Sequence, residues 1–280
     1  MHLKSLLMVA GLVSSSSLLA ETWTGAQDGR WTNPANWAEG TVPGFTSEAT
    51  ELPDAYPELR LTTRAIFDGA NLTGNKVTTI DLDGLVDIAY IEFDGDTVFT
   101  LGTGLDQKLP IEVDGALAVL GTKAPVLNAT LLKCACCWHA FWDGQPRPGV
   151  SLTNNAPEEL VVPGFAGWTG AKSPSEVALW LAGSGATRLT GTVETSPSIH
   201  LFARQSSGGK TIIDTSFGVR EFVNDRNTSY VVPVEITANG DLYSSVPTYG
   251  FLNLVYGSKT LFYGDGEVIF TGGRYDSKEE

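Results

Sequence analysis

Hydrophobic and polar residues alternate along much of this chain. In KVTTIDLDG, residues 76–84, Thr78, Ile80 and Leu82 stand on one face. Ile91 and Phe93 do the same in YIEFDGDTVFTLGTG, and Leu109, Ile111 and Val113 in LPIEVDGALAVLG. Further on, Val177, Leu179 and Leu181 share a face, as do Val232, Val234 and Ile236. A period of two, broken every few residues by Gly, Asp or Asn, predicts short strands joined by tight turns. No segment carries sustained helical periodicity with caps at both ends. The segment FTSEATELPDAYPELR, residues 45–60, reads as a loop. The fold class expected is all-β.

One spacing recurs. GSGATRLTG begins at Gly183 and GDGEVIFTG at Gly264, both G-x-G-x-x-x-apolar-T-G and 81 residues apart. That interval would hold four turns of about 20 residues, a length common among solenoid repeats. In a solenoid, stacked turns bury a continuous core and glycine permits the corners. The architecture expected from this spacing is a β-solenoid, and a β-sandwich is the alternative.

The first residues change the picture of where such a chain works. MHLKSLLMVAGLVSSSSLLAE has a positive charge at Lys4, an apolar run from Leu6 to Val13 and a small residue at Ala20. This is the pattern of a secretory signal peptide, so residues 1–20 are expected to be removed and the mature chain to begin at Glu21. No other stretch of about 20 apolar residues follows, so no membrane-spanning helix is expected. The expected location is outside the cell, secreted or on its surface. The formal net charge is −14, which repels phosphate backbones and argues against nucleic acid as a partner. An acidic surface would accept Ca²⁺, the one cofactor worth naming.

Three of the seven tryptophans, Trp23, Trp31 and Trp37, fall in TWTGAQDGRWTNPANWAEGTVPG. With AIFDGA beyond it, this stretch resembles the N-terminal segment of large exported bacterial proteins that carry autotransporter-associated β-strand repeats. Trp23, Gly25, Gly29, Trp31, Asn36, Trp37, Gly40 and Pro43 carry the likeness, and the pieces at Gly183 and Gly264 resemble the strand repeat. The resemblance implies a right-handed parallel β-helix exposed outside the cell. Residues 21–50 are then read as the tryptophan-rich cap and residues 51–280 as the solenoid. Large rings would cover the open core of the first turn, where bare strand edges invite end-to-end association. The functional alternative is a platform on which exposed Trp23, Trp31 and Trp37 stack against sugar rings, with polysaccharide or other cell-surface chains as partners.

The remaining chemistry is sparse. Cys134, Cys136 and Cys137 sit together in LLKCACCWHAFWDG, with His139 close by and Asp143 beyond. A C-x-x-C-H haem motif is absent because Trp138 stands where His is required. In an exported chain a local disulfide between Cys134 and Cys137 is one outcome, and packing as small hydrophobes is another. A zinc site would need a fourth ligand such as Asp143, so no metal is assigned. Asp81, Asp83, Asp87, Asp94 and Asp96 cluster, and a β-helix polysaccharide hydrolase or lyase would need such carboxylates on one face. Their plainer reading is a solvated acidic strand and its turns. GTGLD, ending at Asp106, resembles part of a calcium repeat but occurs once. Only His139 and His200 remain for acid–base work beyond the leader. No G-x-S-x-G, H-E-x-x-H or P-loop is present. The function expected is therefore a non-enzymatic exported β-solenoid of the surface or extracellular matrix.

Overall fold

The computed structural model describes residues 19–47, 63–133, 149–167, 177–191, 193–194, 199–205, 209–214, 217–219, 221–224, 234–238, 242–244, 252–254, 260–263 and 268–269. Among these the chain is nearly all strand. The helical pieces are two single 3₁₀ turns, Pro34–Asn36 and Gly69–Asn71.

The strands stack as parallel sheets. One path runs through nine strands in chain order: Leu19–Thr22, Thr63–Asp68, Leu85–Asp94, Lys108–Val119, Gly149–Asn154, Val177–Gly183, Ile199–Gln205, Glu221–Asn224 and Leu252–Leu254. A second face carries Leu160–Val162, Ala186–Leu189, Lys210–Ile213, Val234–Ala238 and Thr260–Tyr263 in the same manner. Two three-stranded parallel sheets complete the faces, one of them Thr79–Ile80, Thr100–Leu101 and Val126–Leu127. This is a β-solenoid. A sandwich of the immunoglobulin kind would be built from antiparallel pairs. The antiparallel pairing described is confined to Phe45–Ser47 against Leu85–Asp87 and a bridge between Trp23 and Trp37.

The period-two pattern becomes the core through register. Glu21, Ala65, Ile91, Leu117, Leu152 and Leu181 are successive register partners, all buried. Two residues along, Phe67, Phe93, Val119 and Asn154 form the next inward column. Adjacent parallel strands lie ~4.8 Å apart, so each apolar residue is roofed by the next rung. Ile80 and Leu82 are buried as the alternation requires, and so are Leu109 and Ile111. Asn154, fully buried, meets its own needs: its amide donates to the carbonyls of Glu158 (2.9 Å) and Ala186 (2.6 Å), and its Oδ1 accepts from the Ala156 N–H (3.0 Å).

Two sequence expectations are corrected here. First, Phe45–Ser47 is a short strand and not loop. Second, the two G-x-G pieces do not occupy equivalent places. Ala186–Leu189 lies in the five-stranded sheet, whereas Val268–Ile269 pairs with Leu242–Ser244 in a three-stranded one. The rungs are also unequal, from 21 residues between Leu201 and Phe222 to 44 between Glu21 and Ala65. A corner needs glycine wherever it falls, so glycine spacing by itself does not mark one period. Leu19 and Ala20, the last two residues of the expected leader, pair with Thr63 and Arg64. The remaining leader residues lie outside the described set. Among the described residues no helix is long and apolar enough to cross a membrane.

Candidate functional site

The most elaborate side-chain chemistry described lies at the N-terminal end of the solenoid. Trp23 and Trp31 are fully buried and Trp37 is 3% exposed. Trp37 meets Trp23 edge-on at 5.1 Å and Trp31 at 5.0 Å, and all three lie within 6.0 Å of the Phe67 ring. Phe67 stacks on Phe93 at 5.0 Å, so the aromatic pile continues the inward column. Each indole N–H is spent inside the fold: Trp23 donates to the Val77 carbonyl (2.8 Å), Trp31 to that of Pro43 (3.1 Å) and Trp37 to that of Trp31 (2.9 Å). Stacking on a pyranose needs an exposed ring face, and these rings present none. The aromatic binding patch at Trp23, Trp31 and Trp37 is therefore corrected to a buried cluster.

The backbone around the rings covers a strand edge. Gly25 and Gly29 accept from the N–H groups of Val77 and Asp81 (3.0 and 2.7 Å), and the Trp31 N–H donates to the Asp81 carbonyl (2.9 Å). Residues 25–31 thereby satisfy the outer edge of Thr79–Ile80 and its flanks. The approach is too close for side chains. A Cβ at Gly25 would lie 2.3 Å from the Val77 carbonyl oxygen, and one at Gly29 would lie 2.6 Å from that of Thr79.

Asn36 holds this segment in shape. It is fully buried at the end of the 3₁₀ turn. Its Oδ1 accepts from the N–H groups of Gln27 (3.0 Å) and Asp28 (3.2 Å). Its amide nitrogen donates to Asp28 Oδ1 (2.7 Å) and to the Arg30 carbonyl (3.0 Å). Hydrogen bonds from Asn36, the Arg30 N–H and Asn33 hold the Asp28 carboxyl below the usual range. Sequence reading took Asn36 only as part of a motif. Its polar identity among tryptophans was the signal for a buried hub.

The acidic cluster is placed by the same construction. Asp83 accepts from Arg30 Nε (2.7 Å), the Thr32 N–H (3.2 Å) and Thr32 Oγ1 (2.5 Å), which raises the Arg30 guanidinium further. Asp81 accepts from Gln107 Nε2. Asp83 thus ties the cap to its rung, and Asp81 ties that rung to the next. Asp94 and Asp96 are exposed at a turn, where Asp94 accepts from the adjacent Gly95 N–H (2.7 Å). Asp106 is exposed as well. Among the described residues, no group of three or more His, Cys, Asp or Glu side chains converges as a metal site would require. His200 lies in the strand Ile199–Gln205. Cys134, Cys136, Cys137, His139 and Asp143 lie outside the described residues.

The outer faces carry ion pairs between rungs. Arg188 is clasped by Glu159, including Nη2 to Oε2 at 3.0 Å, and reaches Asp214 on the following rung. Its guanidinium is raised by both carboxylates. Lys123 pairs with Glu158 across rungs. Beside them Val126 and Val161 stand exposed. No protein-family model matches the chain, and neither curated proteins nor solved structures give a match.

Proposed function

We propose that this chain is an exported, non-enzymatic β-solenoid of the cell surface or extracellular matrix, whose outer faces meet glycans or neighbouring chains. One observation carries the reading. Of the carboxylates named for hydrolysis, Asp83 is taken up in tying the cap to its rung and Asp81 in tying that rung to the next. A hydrolase needs one carboxyl poised to give a proton and another free to attack or to activate water. A carboxylate that already accepts from Arg30 and Thr32 serves structure instead. The secretory pattern of residues 1–20 and the likeness of Trp23–Gly44 to exported repeat proteins support the same reading. Binding would then fall to the rung faces, where the Arg188 and Lys123 ion pairs border exposed Val126 and Val161.

The test joins location to turnover. The full chain, expressed in a bacterial host, is followed by cell fractionation and incubated with acidic and neutral polysaccharides. Release from the cytoplasm with no new reducing ends is the expected outcome. Retention in the cytoplasm, or turnover that disappears in Asp83→Asn while the fold persists, would overturn the proposal.

A further inference from the structure

Glu21 occupies an unusual place. It heads the inward column whose next members are Ala65, Ile91 and Leu117, and it is only 8% exposed. One carboxyl oxygen, Oε2, has no hydrogen-bond partner among the described residues. Its neighbour is another acid. The Glu39 carboxylate stands next to the strand, where its Oε2 accepts from the Thr22 N–H (2.9 Å). Burial and Glu39 together push the Glu21 carboxyl up. Among the described residues neither acid forms an ion pair. The nearest cation by register, Arg64 opposite Ala20, is taken by Glu92. A buried acid with a partnerless oxygen, set beside the exposed Glu39 at the mouth of an apolar core, is favoured by a positive charge nearby.

We propose that hydrolysis of the Ala20–Glu21 peptide bond supplies that charge, so that the α-ammonium of processed Glu21 becomes the counter-ion of the Glu21–Glu39 pair. The inference rests on reading residues 1–20 as a leader. Water adds across the amide: Ala20 leaves as a carboxylate with the leader, and the Glu21 nitrogen remains as –NH₃⁺. That nitrogen precedes the Thr22 nitrogen, which already touches Glu39. One residue of extended strand spans ~3.3 Å, so the new ammonium falls within about 6 Å of the Glu39 carboxylate, where opposite charges favour each other's ionised forms. Cleavage also removes Leu19 and Ala20 from their pairing with Thr63 and Arg64. The ammonium stabilises the shortened strand. The uncleaved chain keeps an uncompensated acid pair at its first rung, so the cap is weaker before processing than electrostatics allow afterwards.

The experiment begins with the full chain expressed with its leader in a secreting bacterial host. The released protein is sequenced from its amino terminus, and its α-amine is titrated by NMR. The expected terminus is Glu21, with an α-amine titrating at least about one unit above the ordinary 7.7–8.0. In Glu39→Gln it should return toward the ordinary range. Selective acetylation of the α-amine should lower the melting temperature of the unsubstituted protein more than that of Glu39→Gln. An unprocessed, unreleased chain would overturn the export reading together with this one. A terminus elsewhere, or an α-amine titrating in the ordinary range, would overturn this inference alone. The titration of the unsubstituted protein decides the matter even where Glu39→Gln fails to fold.

Discussion

A single amide at Asn36 organises the first turn, because four hydrogen bonds converge on it in a site closed to water. Its two ends are not interchangeable: the oxygen faces two N–H donors and the nitrogen faces Asp28 and a carbonyl. Asn36→Asp keeps the shape but sets a second carboxylate against Asp28 Oδ1. Loss of stability of about 3 kcal/mol or more is expected, as for a broken buried charged contact, read as a large fall in urea midpoint at pH 7. Glu21 sets a pH dependence of opposite sign to the usual acid. In the uncleaved chain its folded value lies above its unfolded one, so the folded state holds the extra proton. Its stabilisation is full below the ordinary glutamate range near 4.3 and is lost as pH rises through the folded value. Asp28, held low, acts the other way, supporting the cap above its unfolded value and failing only as pH falls through its depressed one. In the uncleaved full chain, Glu21→Gln should therefore gain melting temperature relative to the unsubstituted chain as pH is raised from 4 to 7.5. An unchanged difference across that range would count against the buried acid.

At the scale of the element, the corners matter more than the strands. Val177–Gly183 ends at a glycine with φ +100°, and a Cβ there would sit 2.1 Å from the Asn154 carbonyl oxygen. Gly183→Ala meets both penalties at once, a backbone conformation that L side chains avoid and a clash with the rung below. A loss of roughly 2–4 kcal/mol is expected, measured by chemical unfolding. Most of the strands were legible beforehand, since Ile80, Leu82, Ile91, Phe93, Leu109 and Ile111 are buried where alternation put them. The repeat was not, because the similar sequences that contain Ala186–Leu189 and Val268–Ile269 contribute strands to different sheets. Glycine answers a local steric demand and carries no information about which corner it turns.

For the whole molecule, nine stacked strands imply a solenoid ~40 Å along its axis at ~4.8 Å per step. Small-angle scattering should return a short cylinder of about that length or more, with β-rich circular dichroism from the same sample. A sphere of equal mass would contradict the stacked rungs. The solenoid's rungs are fastened twice, by apolar columns within and, on the five-stranded face, by cross-rung pairs such as Arg188 with Glu159 and Asp214. Solvent-accessible surface pairs of this kind contribute little each, so salt should change the melting temperature only slightly. By itself the sequence determined the β class, the inward faces and the presence of a special N-terminal segment, because side-chain alternation and turn residues act over a few neighbours. Only the tertiary structure decided that Trp23, Trp31 and Trp37 face inward, that Asp81 and Asp83 are ties, and that Glu21 meets Glu39. Those facts depend on contacts between residues up to 54 apart, as from the Trp23 indole to the Val77 carbonyl, and no local pattern encodes which distant partner closes them.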